Sequence, residues 1–271
     1  MVLPDNIDFT KSETYILSIR LTPNGFYFSI HCPTNTSFFY QNSITFPSNT
    51  TYLNNLEKFI FDYSFFSHNF QKIYVICVNN EYTLIPKQYY EKRLEEDLFS
   101  FNFTSTNVKV LCNNIEQLGC KVIGGMDNSL HNFLSRTLIN PYFKNHGEFL
   151  TSYFYKLHDK SRTALYININ DNNMIDAIAF SKDKCILAKT FTVNNPLEGI
   201  YYIHKTWEIL KLDAQTDKLF FSGKTDTYFN EIENLKKLIP TLKYLSHALP
   251  SDLNINQNEV PTEILCQLCE L

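Results

Sequence analysis

The 271-residue sequence has no window of the roughly 18 consecutive apolar residues that a membrane-spanning helix requires, so no membrane insertion is expected. Its start, Met1-Val2-Leu3-Pro4-Asp5, lacks a basic segment leading into an apolar core, and the expected location is cytoplasmic. Seven cysteines, an odd number without a spacing framework, suit buried thiols better than disulfides. A cationic excess is missing too: 24 Lys and Arg stand against 28 Asp and Glu, a net charge of -4. No broad basic surface can neutralise a phosphate backbone, so nucleic acid is not an expected partner. Glycine and alanine are scarce while Asn, Ile, Lys, Phe and Tyr abound, as an AT-rich coding sequence would give. That bias accounts by itself for aromatic runs such as Tyr153-Phe154-Tyr155.

Several catalytic signatures are also missing. There is no GxSxG elbow, and His204 with Glu208, one helical turn apart, has no second His to complete an HExxH site. Cys266-Gln267-Leu268-Cys269 has the spacing of a metal knuckle but no second pair, and reads as small apolar residues on a tail helix. Ser222-Gly223-Lys224-Thr225 looks like the end of a P-loop. The full pattern needs Gly at position 218, where Lys stands, and Leu219-Phe220-Phe221 reads as buried strand.

A globular fold is nevertheless well supplied. The hydrophobic fraction is 44% and the charged fraction 19%, and the length gives room for two domains of roughly 100 to 150 residues. The expected division is 1–158 and 159–271. Alternating residues over Tyr15 to Leu21 lead through Thr22-Pro23-Asn24-Gly25, a hairpin signal, into Phe26 to Ile30. A third strand around Ser37 to Tyr40 precedes a helix with Leu53, Leu56, Ile60 and Tyr63 on one face, and Lys72 to Val78 is an apolar strand. The same plan recurs from Ala164, with a polar turn at Asn170-Asp171-Asn172-Asn173 and a helix opened by Asn195-Pro196-Leu197-Glu198. Between the two units lie a charged helix over Gln88 to Leu98, strands at Val108 to Cys112 and Cys120 to Ile123, and helices over Leu130 to Leu138 and Phe149 to Leu157. A tail helix follows Pro261.

Three strands, helix, strand, helix, strand, helix, taken twice, resembles the α/β fold of two ribonuclease H-like lobes around an interlobe cleft, the actin-like ATPase domain architecture. Size and opening hairpin resemble a bacterial family of uncharacterised proteins of that architecture. Secretion and pilus-assembly actin-like modules are a more distant likeness. In active members each lobe's first hairpin carries an Asp at the strand end for magnesium and Gly in the turn for phosphate approach. On that pattern Arg20 stands at the first Asp position, with Thr22, Asn24 and Gly25 in the turn. Asn168 stands at the second, followed by Asn170 and Asn172. Gly223, with Lys224 behind it, is half of the paired glycines near the adenosine. These residues are the candidate nucleotide site lining the cleft.

A cation at the magnesium position disfavours metal-assisted transfer, and Pro23 offers no amide. A ribonuclease H-type nuclease would need first-strand carboxylates where Arg20 and Asn168 stand. The expectation is therefore a catalytically silent actin-like binding or scaffolding module with a protein partner that the residues do not identify, and no cofactor. The alternative is an ATPase or small-molecule kinase using ATP and magnesium through divergent motifs.

Overall fold

The computed structural model describes residues 7–170 and 173–269. β1 (Ile16–Thr22) and β2 (Gly25–Cys32) form the first hairpin, with Thr22 opposite Gly25 across the turn. β3 (Asn35–Thr45) pairs antiparallel with β2, helix α1 (Tyr52–Asp62) crosses over from its Thr51 cap, and β4 (Lys72–Cys77) returns parallel to β1. β5 (Tyr82–Pro86), helix α2 (Glu95–Asn102), β6 (Val108–Ile115) and β7 (Cys120–Asp127) then build a separate sheet of order β5-β7-β6. Helix α3 (Asn128–Thr137), strand β8 (Tyr142–Asn145) and helix α4 (His146–Leu157) complete the first half. Its main sheet has the order β3-β2-β1-β4-β8.

The second half repeats this arrangement. β9 (Thr163–Ile169), β10 (Met174–Ser181) and β11 (Lys184–Thr192) are antiparallel, α5 (Pro196–Ile209) crosses over, and β12 (Lys218–Gly223) lies parallel to β9. Helix α6 (Phe229–Leu238) leads to β13 (Leu242–Tyr244) and an irregular segment to α7 (Thr262–Leu268). The order is β11-β10-β9-β12-β13, so both sheets pair antiparallel on one side of their first strand and parallel on the other.

Each lobe has its own apolar core. Leu17, Ile19, Phe28 and Val75 pack against Leu56 and Ile60 of α1 in the first, and Leu165, Ile167 and Phe221 pack against Ile203 and Trp207 of α5 in the second. All of β2 is buried, because its other face meets α7: Tyr27 packs with Ile264, Leu265 and Leu268. No helix among the described residues is long and apolar enough to cross a membrane.

Three expectations are corrected. Gln88 to Leu98 is not one helix: Lys87–Tyr89 and Lys92–Leu94 are single 3-10 turns, and α2 begins only at Glu95, where Glu95, Glu96 and Asp97 favour its N-terminal dipole. The helix expected from Phe149 starts three residues earlier, where Asn145 caps the Gly147 amide. β5 and β8 were not foreseen. β8 is four residues long and, among the described residues, pairs only with β4, so nothing in its neighbourhood along the chain announces it.

Candidate interlobe site

β1 and β9 are the central strands of the two sheets, and α7 lies between them. Ser18 and Arg20 project from one face of β1, two residues or about 6.6 Å apart. Glu263 and Gln267 are one turn apart on α7, about 6 Å along its axis. The spacings match: Arg20 Nε donates to Glu263 Oε2 at 3.2 Å, and Ser18 Oγ donates to Gln267 Oε1 at 2.8 Å. Arg20 is 1% exposed and Glu263 is wholly buried. A charge this far from water survives only with a close counter-charge.

Arg20 also reaches the second lobe, donating from an Nη to Asn170 Oδ1 at 2.8 Å. Asn170 Nδ2 in turn donates to Asp176 Oδ2 at 2.6 Å, and Asn168 Nδ2 to the same oxygen at 2.9 Å. Asn168 Oδ1 accepts from Thr262 at 2.6 Å and Ser222 at 3.2 Å. Asp176, fully buried on β10, meets His146 Nε2 at 2.8 Å and accepts a hydrogen bond from Thr190. His146 Nδ1 lies 3.2 Å from the Cys77 carbonyl at the end of β4, so the imidazole spans the lobes. Burial alone would push His146 down, but the charge and hydrogen bond of Asp176 outweigh it and raise the imidazole above its ordinary value. Asp176 is lowered: burial opposes its charge, and His146 with the surrounding donors overcomes that cost.

Five of the nine residues selected from the sequence, Arg20, Asn168, Asn170, Gly223 and Lys224, come together around this network. Lys224 Nζ donates to the Asn258 carbonyl at 2.6 Å, which ties down the segment entering α7. Thr22, Asn24 and Gly25 do not join them. Thr22 and Tyr52 hydroxyls both donate to the Gly25 carbonyl, and Asn24 accepts from the Phe46 amide, so this turn is occupied by its own lobe. Asn172 lies outside the described residues. Asp176, His146 and Glu263 were missed, although two of them leave a trace: Asp176 interrupts the apolar run Met174 to Phe180, and Glu263 sits beside Ile264-Leu265 on the tail helix.

The fold implies magnesium and ATP at this place, and the residues do not fit them. The position that would hold magnesium carries a guanidinium. Among the described residues the two carboxylates at hand, Asp176 and Glu263, are already engaged by His146 and Arg20. The space left beside Arg20, Asn170 and Gly223 is about 10 Å³, room for about one water. Gly223 shows how tight the packing is: it has φ 78°, and an added Cβ would lie 2.3 Å from the Ile169 carbonyl oxygen. Gly223→Ala is expected to lower stability by about 1–3 kcal/mol through backbone strain alone, read as a lower urea midpoint at unchanged slope.

A family model described as Protein of unknown function (DUF3822) matches residues 4–242. Among solved structures, a Bacteroides thetaiotaomicron protein with actin-like ATPase fold and unknown function is 27% identical with a TM-score of 0.80, covering 91% of this chain and 96% of that one. A chain of the PilM-PilN type IV pilus biogenesis complex is 10% identical with a TM-score of 0.59, covering 94% of each. No curated protein matches the chain. The likenesses establish the actin-like architecture of two ribonuclease H-like lobes that the strand order describes.

Proposed function

We propose that this chain, which belongs to the DUF3822 family of proteins of unknown function, works as a binding or scaffolding module whose interlobe site does not turn over nucleotide. The observation that carries this reading is the buried contact of Arg20 with Glu263: a side chain of the protein's own α7 neutralises the cation where a phosphate or metal would have to enter. Filling the cleft joins the two lobes, proposed as 1–158 and 159–271, through α7 rather than through a ligand. A two-lobed body of this kind suits presentation of a surface to another protein. The fold shared with a chain of a two-protein biogenesis complex supports that role.

Thermal unfolding with magnesium-ATP, magnesium-ADP or magnesium alone tests the reading. At millimolar nucleotide the midpoint is expected to stay where magnesium alone leaves it. A ligand at 100 times its dissociation constant adds about 2.7 kcal/mol, so a nucleotide-specific rise of that size, followed by phosphate release in a turnover assay, would establish the ATPase instead.

A further inference from the structure

Away from the interlobe network, a cavity of about 340 Å³ opens where α4 ends against the parallel edge of the second sheet. Strand register builds it. Tyr166 on β9 lies opposite Phe220 on β12, and Phe220 lies opposite Lys243 on β13. Lys218, two residues before Phe220, shares its face. The rings of Phe154, Tyr166 and Phe220 stack in a row at 5.1 and 5.0 Å, and Lys243 stands where the row ends. Arg162, from the segment after α4, also lines the cavity.

Two features of this lining are not explained by folding. First, Lys218 and Lys243 have no ion pair among the described residues. The one carboxylate of the lining among the described residues, Asp159, accepts from the Ser161 amide and hydroxyl and lies 4.0 Å from Arg162. Second, His158 is only 6% exposed, and neither of its ring nitrogens has a hydrogen-bond partner among the described residues. The Lys182 backbone lies beside the ring but outside hydrogen-bonding geometry. Buried polar groups are ordinarily partnered, and one left alone costs about 1–3 kcal/mol. Burial holds the imidazole below its ordinary pKa, and the ring forms a neutral wall of the cavity against Phe180 and Tyr166.

We propose that this cavity binds a phosphate-bearing anion, held by Arg162, Lys218 and Lys243. Three cations from separate elements exceed what a single carboxylate would neutralise. The guanidinium fork and the lysine point charges both suit phosphate oxygens. The volume falls at the small end of the roughly 300–1,000 Å³ range of ligand pockets, which suits a phosphorylated small molecule or one lipid headgroup. The site is separate from the interlobe network, and its occupancy does not depend on whether that network is silent.

Calorimetric titration of the whole chain with inorganic pyrophosphate at low ionic strength tests the site. Co-sedimentation with phosphatidylcholine vesicles containing phosphatidic acid separates the two sources of phosphate. Saturable binding of one probe is expected, weakened at least about tenfold in K218Q/K243Q, since each charge-assisted bond is worth about 1.5–3 kcal/mol. The control K236Q/K237Q, which removes the same charge from α6, is expected to bind like the wild type. Binding of pyrophosphate assigns a free ligand, and binding of vesicles alone assigns a headgroup. Binding of neither, or equal losses in both lysine pairs, overturns the proposal. Lys243 is exposed and Lys218 half-buried, so an unchanged melting curve can verify that the variants are folded.

Discussion

Arg20→Met is expected to destabilise the protein by about 3–5 kcal/mol, because it strands the wholly buried Glu263 without its counter-charge. The loss should be read as a fall in the urea midpoint. Adding Glu263→Met to the same chain is expected to restore a large part of it, since an apolar pair of similar volume needs no desolvation of charge. The two substitutions should therefore be strongly non-additive. Recovery will be incomplete, because Arg20 also donates to Asn170 and the double variant leaves that amide oxygen with a weaker environment. Additive losses would mean that the ion pair does not form, and with it would go the argument that α7 closes the cleft.

Asp176→Ala is expected to cost a similar amount, about 3–5 kcal/mol, for a different reason. One carboxylate satisfies His146, Thr190, Asn168 and Asn170, and its removal orphans donors from both lobes at once. The same residue controls a pH dependence. His146 is raised above 6.5 in the folded protein, so its contribution is complete below that value and is lost as pH rises through the folded pKa. Asp176 is lowered below 3.8, so its contribution is complete above that value and is lost as pH falls through the folded pKa. Stability from the pair is thus greatest between the two ordinary values and declines on each side. Denaturation measured from below the folded pKa of Asp176 to above that of His146 is expected to give a plateau between the two ordinary values that falls on each side for the wild type, and a flatter profile for the alanine variant.

What could be read in the sequence was what neighbours along the chain decide. The Pro23-Asn24-Gly25 turn and the Asn195-Pro196 helix start are local chemistry, and both stand where expected. The order of strands and helices followed from them, and the fold from the order. The charged stretch after Pro86 misled because its charges satisfy a helical face as easily as two short turns and the start of α2. At the site, Arg20 and Asn168 were found through their positions at strand ends, where substitution of an expected Asp is visible. Their partners were not. Arg20 meets Glu263 across 243 positions of sequence, and His146 meets Asp176 only because α4 begins at the end of β8. Periodicity marks the face a side chain occupies; it carries no information on which distant element arrives there.

The position of α7 also has a consequence in time. During synthesis β1 emerges long before the helix that neutralises it, and lobes of this size fold as units from the N-terminal side. The guanidinium of Arg20 must then wait in water, and the face of β2 around Tyr27 remains uncovered until Ile264, Leu265 and Leu268 arrive. Closure of so distant a contact is entropically slow. A nascent or truncated chain without α7 would leave Arg20 without Glu263 and the Tyr27 face without its apolar cover, a surface that the finished molecule does not have.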